Sequence, residues 1–299
     1  YPEKCCLNGN NLYLLNSLIS PFLTIYNLSD SSYIQYGNIG NGPGEFIAPS
    51  LCEMKEPEKI GIYSNSMNKL DVLHFNSDSL LYVKTLHFPL WNKQRGIPKA
   101  YTRLVQYNDS LFIGTSFMPK EISVELMNLK TEKVVDCADF PLKPEEEEYS
   151  GPYECKIATG TNFMVAAYRY INRLEIYRLS AQKFQLKTII GEANNQYDLY
   201  RLDKDNEMIF HYSDIVCGEN QIYALYQGVK VKELSSANSK IEVYSYDGTH
   251  LHTFDLGRSI EKILVDESSM RIYAFDRNEE EDIVIYYTMK KHNMQFKRE

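Results

Sequence analysis

Leu23-Thr24-Ile25-Tyr26 is the first copy of a short phrase that recurs along this chain and decides its fold. Apolar and polar residues alternate in most copies, which is typical of a half-buried β-strand. The further copies follow in chain order: Leu70-Asp71-Val72-Leu73, Val124-Glu125-Leu126-Met127, Leu174-Glu175-Ile176-Tyr177, Ile241-Glu242-Val243-Tyr244 and Ile283-Val284-Ile285-Tyr286. An apolar run precedes each copy. These runs begin at positions 12, 60, 111, 163, 222 and 272, which lie 48 to 59 residues apart.

This spacing fits the blade of a β-propeller, which takes four antiparallel strands and their turns in about 40–50 residues. Turn residues and a further strand follow most copies, and another short apolar stretch precedes each run. The sequence therefore predicts an all-β fold, a six-bladed β-propeller with about four antiparallel strands per blade, as a single domain over residues 1–299. A β-sandwich is the alternative, but it does not need one phrase to recur at near-constant spacing.

Composition narrows the function classes. The net charge is −8 and the sequence pI is about 5.4, whereas a nucleic-acid surface needs clustered Lys and Arg, so we expect no nucleic-acid partner. The sequence contains no apolar run of about 18 residues, so no membrane span is predicted. The six cysteines form no C-x-x-C pair, which argues against zinc-ribbon and thioredoxin sites. Cys52, Cys155 and Cys217 fall on predicted innermost strands, where we expect buried structural thiols.

A glycine-rich connector lies between the first two repeats. Its glycines permit a chain reversal, and proline fixes its own φ. We expect Phe46 to fill the gap between two blades and Glu45 to accept backbone N–H groups of the turn. The predicted structural residues are Gly40, Gly42, Pro43, Gly44, Glu45 and Phe46.

This connector resembles the G-x-G-x-G-x-x-E-F…P phrase of NHL-type propellers. It is most similar to TolB-like six-bladed propellers of bacterial envelope lipoproteins, in which a Gly-Pro-Gly-Glu-Phe core is typical. The stretch from Ser64 to Leu73 is similar to the NHL phrase D-x-x-N-x-R-I-x-V-F, but it departs at Ser64 and Lys69.

The resemblance implies a secreted protein of the periplasm or cell surface, as an outer-membrane lipoprotein with its leader removed. The chain starts at Tyr1 rather than Met, which fits a trimmed or mature form. The lipid anchor would then lie outside this sequence.

A search for catalytic chemistry assigns no catalytic residue, no metal ligand and no cofactor. Neither a G-x-S-x-G elbow nor a P-loop occurs. His250 and His252 are predicted to share a strand face, but a metal site needs three or four ligands. The segment 203–214 resembles a calcium loop, yet Met208 and Asp214 replace the glycine and glutamate that it requires.

We therefore expect a binding or protein-interaction module rather than an enzyme. The alternative is a polysaccharide- or lactone-directed lyase or hydrolase with a metal at the channel mouth. A purely structural scaffold in an envelope assembly is a third hypothesis. For the binding module the expected partner is a protein or a carbohydrate, and the protein itself is expected to be a monomer.

Topology predicts where a ligand would bind. If the strands of a blade are labelled A to D, its B–C loop lies on the same face as the connector from D to the next A. The long insertions are all B–C loops or D-to-A connectors, and they cover residues 89–101, 139–153, 191–212 and 227–239. Loops of this length are often functional, and aromatic residues near arginine suit sugar or peptide binding.

The candidate ligand-binding residues are Trp91, Arg95, Tyr149, Arg169, Arg173, Tyr200 and Arg201. Arg169 and Arg173 flank the fourth B–C turn, where we expect them to face an anionic ligand. Packing of Trp91 onto its own loop, and plain solvation of the arginines, are the alternatives.

Overall fold

A computed structural model describes residues 2, 4–64, 66–76, 79–88, 91–92, 97–98, 100–116, 122–139, 141, 154–180, 182–191, 207–279 and 283–289. The chain divides into two compact units. The first comprises Tyr1–Phe117 and Val124–Cys137, and the second comprises Met118–Ser123 and Ala138–Glu299.

The first unit is built from antiparallel meanders, whose strands we label A to D in chain order. One meander has the order β1-β2-β3-β4. Two more, β7–β10 and β13–β16, join into one eight-stranded sheet because their A strands, β7 and β13, pair in parallel. The strands are β1 (Lys4–Asn8), β2 (Asn11–Leu15), β3 (Leu23–Asn27), β4 (Tyr33–Tyr36), β5 (Asn38–Ile39), β6 (Glu45–Phe46), β7 (Pro49–Glu53), β8 (Lys59–Ser64), β9 (Lys69–Asn76), β10 (Ser79–His87), β11 (Trp91–Asn92), β12 (Ile97–Pro98), β13 (Tyr101–Gln106), β14 (Leu111–Ser116), β15 (Ile122–Asn128) and β16 (Lys133–Asp139).

The second unit contains two four-stranded meanders and, among the described residues, a third with strands A to C. Neighbouring strands within each meander pair in antiparallel fashion. The strands are β17 (Cys155–Thr159), β18 (Phe163–Tyr168), β19 (Arg173–Ser180), β20 (Lys183–Gly191), β21 (Ile209–Cys217), β22 (Gln221–Lys230), β23 (Lys240–Ser245), β24 (His250–Asp255), β25 (Ile260–Asp266), β26 (Arg271–Asp276) and β27 (Val284–Thr288).

The recurring phrase is the C strand of every meander, and in β9, β15 and β19 both of its faces are buried, whereas Tyr26 of β3 is exposed. In β9, Leu73 belongs to the apolar cluster of the first meander, whereas Leu70 and Val72 belong to the cluster that contains Phe112 of the third. Burial of each such side chain stabilises the fold by roughly 1.5–3 kcal/mol. In these three strands the alternation therefore marks a strand packed on two sides, rather than the half-buried strand that was predicted.

The observed meanders confirm the all-β prediction with about four antiparallel strands per repeat. The number of blades and the single domain over residues 1–299 stay predictions.

The glycine-rich connector joins the first meander to the second through a short parallel pair of β5 and β6. The backbone N of Gly42 donates to Glu45 Oε2 at 2.7 Å. A Cβ on Gly40 would lie 2.1 Å from the same oxygen, so glycine leaves the space that this carboxylate occupies. Phe46 is buried, with its ring 5.1 Å from that of Phe22 and 5.3 Å from Lys69 Nζ.

Two predicted loop boundaries shift in the structure. Strand β21 begins at Ile209, so the connector expected over residues 191–212 is shorter. Strand β22 runs to Lys230 and a 3-10 turn follows at Val231–Glu233, so the insertion expected from Gln227 starts later. The reason is pairing that extends the hairpin, because Ile209 lies opposite Lys230.

The predicted shared face of His250 and His252 is altered by a bulge in β24. His250 lies opposite Tyr244 and His252 opposite Val243, which are consecutive residues of β23 and so point to opposite faces. The bulge therefore separates the two imidazoles, and His250 Nε2 instead lies 2.8 Å from Thr253 Oγ1.

Candidate functional site

Within a meander, the B–C turn and the connector beside strands D and A lie at the same end of the sheet. In the second meander, the backbone N of Phe88, just after strand D, donates to the carbonyl of Asn68 in the B–C turn at 3.0 Å. In the meander of β21–β24, Lys230 Nζ at the end of strand B lies 2.7 Å from the Glu207 carboxylate, which precedes strand A.

The same arrangement brings several charged and aromatic side chains together in the second unit. We call them the Arg169 cluster: Glu154, Lys156, Arg169, Tyr170, Phe210 and His211. Arg169 directly follows β18, and its Nη1 lies 2.5 Å from Glu154 Oε2. Lys156 Nζ, on β17, lies 3.6 Å from the other carboxylate oxygen. One carboxylate thus bridges two cations.

Backbone hydrogen bonds fix the position of Arg169 from both sides. Its backbone N donates to the carbonyl of Glu154 at 3.0 Å, and its carbonyl accepts from the backbone N of His211 at 2.6 Å. Its guanidinium carbon lies 5.0 Å from the centroid of the buried Phe210 ring, a cation–π distance. The ring of Tyr170 meets Phe210 edge-on at 5.8 Å. The guanidinium group is therefore held on a rigid aromatic support.

Two polar atoms of the cluster lack a hydrogen-bond partner among the described residues. Among the described residues, neither Arg169 Nε nor His211 Nδ1 has a hydrogen-bond partner, although both atoms are buried. Burial lowers the pKa of His211 from 6.5 to about 4, because a buried imidazolium loses its hydration. His211 is therefore neutral at pH 7, and the charge of the cluster is set by Arg169, Lys156 and Glu154.

Arg173 lies in a different environment, although it is only four residues further along the chain. Its side chain is buried, and its Nε donates to Glu175 Oε1 at 2.8 Å. The hydroxyls of Tyr168 and Tyr177 donate to Glu175 Oε2 at 2.8 and 2.6 Å. The structure thus places Arg173 against a buried carboxylate in the sheet, and we do not include it in the candidate site.

Carboxylates that accept from tyrosine hydroxyls recur at this position of the C strand, and the sequence-based prediction did not include them. Glu125 accepts from Tyr101 Oη at 2.7 Å, and Glu242 accepts from Tyr244 Oη at 2.9 Å. Burial, followed by the nearby carboxylate, raises the pKa of both Tyr101 and Tyr244, so these phenols stay protonated donors. The signal was the acidic second residue of the recurring phrase, which is present in four copies.

Most of the other candidate residues lie outside the described part of the chain. Trp91 is placed by its backbone alone, in β11, where it pairs with Pro98 of β12. Arg95, Tyr149, Tyr200 and Arg201 fall on residues that the structure does not describe.

The described residues contain neither a candidate metal site nor a membrane-spanning helix. Across them, no group of three or more His, Cys, Asp or Glu side chains is arranged to hold a metal ion. Nor does this part of the chain contain a helix long and apolar enough to cross a membrane.

Several solved structures are similar to this chain in fold. A member of the DUF4221 family from Bacteroides vulgatus matches with a TM-score of 0.64 at 13% identity, over 96% of this chain and 91% of that chain. A Bacteroides fragilis protein whose name classes it as exported matches with a TM-score of 0.58 at 15% identity, over 90% and 77%. A luciferin-regenerating enzyme matches with a TM-score of 0.56 at 10% identity, over 99% and 93%. At these identities the likeness shows the fold alone.

A search of curated proteins finds no match to the sequence. A family model described as "TolB-like 6-blade propeller-like" matches residues 1–268, which is most of the chain. The match agrees with the antiparallel meanders and with the solved structures of similar fold. The fold is therefore a β-propeller, and the chain belongs to the TolB-like 6-blade propeller family.

Proposed function

We propose that this protein is a non-enzymatic binding module of the bacterial cell envelope and that the Arg169 cluster forms part of its ligand-binding surface. One observation carries the proposal. The partly exposed Arg169 side chain, held over an aromatic ring, lies beside a partly exposed carboxylate at a strand end next to a long connector. The lyase or hydrolase alternative stays a prediction from the sequence.

Geometry and chemistry support binding at this place. Arginine presents a planar fork of N–H donors and is less strongly hydrated than lysine, so it suits recognition of anionic or polar groups. The aromatic support fixes its orientation before a ligand arrives, which lowers the entropic cost of binding. By contrast, Arg173 has its donors directed at Glu175 within the sheet.

The proposal can be tested with glycan and peptide arrays probed by the purified chain. Binding that survives in the wild type and in Arg178→Gln but is lost in Arg169→Met supports the site. Arg178 is the matched control, because it is an exposed arginine at the other end of β19. Array signals that persist unchanged in Arg169→Met overturn the site, and cleavage of a bound glycan overturns the non-enzymatic assignment.

We propose the envelope location, in the periplasm or at the cell surface with a lipid anchor outside this sequence, on two grounds. The chain belongs to the TolB-like family, and one protein of similar fold is named as exported. Fractionation of the producing cells with an antibody against this chain tests the location. Recovery with the membrane or periplasmic fraction supports it, and recovery with cytoplasmic proteins overturns it.

A further inference from the structure

We infer that the Arg169 cluster binds the carboxylate of a ring-shaped ligand, as in a hexuronic acid, and that Glu154 occupies the carboxylate position until such a ligand replaces it. The inference rests on the proposed binding function and names its ligand class. The observations that carry it are the bridging contacts of Glu154, the fixed guanidinium of Arg169 and the apolar groups beside them.

Glu154 makes the contacts that a ligand carboxylate would make. One of its oxygens meets Arg169 and the other faces Lys156. Its side chain is 40% exposed, whereas that of Glu175 is 3% exposed. Exposed ion pairs contribute little to stability, so turning the Glu154 side chain outward costs little. The backbone does not have to move, since its carbonyl already accepts from the backbone N of Arg169.

Arg169 is arranged to receive an incoming carboxylate. Its backbone is held by Glu154 and His211, and its guanidinium group lies over Phe210. Its Nε is a buried donor without an acceptor among the described residues. A carboxylate that takes the place of Glu154 accepts from Nη1 of Arg169 and faces Lys156 Nζ, as the Glu154 carboxylate does.

Charge and shape narrow the ligand further. Once Glu154 turns outward, Arg169 and Lys156 face a single ligand carboxylate, which favours anionic over neutral ligands. Tyr170 lies on the aromatic side of the cluster, with its ring edge-on to Phe210 at 5.8 Å. Its apolar surface fits the C–H face of a sugar ring, since aromatic groups combine an apolar body with a polar edge. A small carboxylate without a ring would lack this second contact.

Titration calorimetry at fixed ionic strength tests the inference, with trigalacturonate, its fully methyl-esterified form and acetate as probes. We expect trigalacturonate to bind at least ten times more tightly than either of the other two. Glu154→Gln should tighten trigalacturonate binding about 3- to 10-fold, because a neutral amide competes less well for two cations. Arg169→Met should weaken it at least tenfold, and Arg169→Lys should weaken it less. Arg178→Gln should leave it unchanged.

The outcomes separate the ligand class from the binding site. Equal affinity for the methyl ester, or weaker binding by Glu154→Gln, overturns the role of the carboxylate. Equal affinity for acetate overturns the ring contact. No binding of trigalacturonate, while other array ligands still depend on Arg169, overturns the ligand class and leaves the proposed function standing. Arg169→Lys keeps the charge, so unchanged trigalacturonate affinity in both Arg169 variants overturns the site itself.

Discussion

Two arginines lie four residues apart at one turn of the second unit, and each pairs with a glutamate in a different environment. Arg173 and Glu175 have side chains that are 9% and 3% exposed, and two tyrosine hydroxyls complete the contacts of the carboxylate. Arg169 and Glu154 are 23% and 40% exposed, and one donor of Arg169 has no partner among the described residues.

The difference shows that an ion pair is structural or exchangeable according to its surroundings, not its residue types. Burial of a charge is expensive, so a buried pair persists only when every charged atom is met by a partner. An exposed pair gains little from its Coulomb attraction and can be replaced by a competing ion. Arg173 therefore neutralises a buried carboxylate within the sheet, and we propose that Arg169 is available to a ligand.

The largest expected effect follows from removing the buried cation. Arg173→Met leaves Glu175 as a buried carboxylate with tyrosine donors but no counter-charge. We expect the free energy of unfolding to fall by about 3–5 kcal/mol. Urea denaturation followed by circular dichroism measures this change, provided that the variant folds.

A second substitution serves as the control for this prediction. Adding Glu175→Gln to the Arg173→Met background removes the uncompensated charge and should recover part of the lost stability. If the single variant Arg173→Met loses less than about 1 kcal/mol, which is the range of an exposed pair, the distinction between the two pairs fails.

The next largest effect tests the burial of His211, which lies beside Arg169 in the cluster. Burial lowers the pKa of His211 to about 4, so the unfolded chain binds a proton at higher pH than the folded chain does. The free energy of unfolding therefore includes a contribution from neutral, buried His211. That contribution is fully present above pH 6.5 and is lost as the pH falls towards 4. The shift corresponds to at most about 3 kcal/mol at 1.36 kcal/mol per pKa unit.

His211→Gln should remove that part of the pH dependence, as measured by urea unfolding at pH 7 and pH 4. His87→Gln is a matched control, because it replaces an exposed histidine of β10. An unchanged difference between pH 7 and pH 4 in the His211 variant would show that the imidazole is hydrated.

The repeated strands could be predicted from the sequence because they depend on local patterns. Alternation within four residues and a regular spacing located the C strands, which the structure places at β3, β9, β15, β19, β23 and β27. The extent of burial could not be predicted in the same way. Which faces of β9 are covered depends on packing against other meanders, and alternation alone indicated only one buried face.

The candidate site could be predicted only in part, and the reason differs between the two arginines. Arg173 and Glu175 are two residues apart on one strand and so share a face, a signal that was present in the sequence. The partners of Arg169 are not local. Phe210 and His211 reach it from strand β21 of the next meander, which no spacing rule in the sequence indicates.

A smaller effect is expected from the hydroxyls around the buried pair. Tyr177→Phe removes one of two tyrosine donors to Glu175 and leaves Arg173 in place. We expect a loss of about 1–2 kcal/mol, since hydrogen bonds to charged groups contribute about 1.5–3 kcal/mol and the remaining donors compensate in part. Tyr26→Phe is the control, because Tyr26 is exposed on the first meander. Equal losses for both variants in urea unfolding would contradict the special role of the Glu175 network.

The smallest effect on the free energy of unfolding is expected at the partly exposed pair, Arg169 and Glu154. Arg169→Met, Glu154→Gln and the double variant form a double-mutant cycle, whose coupling energy isolates the ion pair from other contacts. We expect a coupling of about 0–1 kcal/mol, because both side chains are partly solvated and salt screens their attraction. The cycle is measured by urea unfolding at low and high salt. A coupling above about 2 kcal/mol that persists in high salt would make Arg169 a structural residue like Arg173, since Glu154 would then be held too tightly for a ligand carboxylate to replace it.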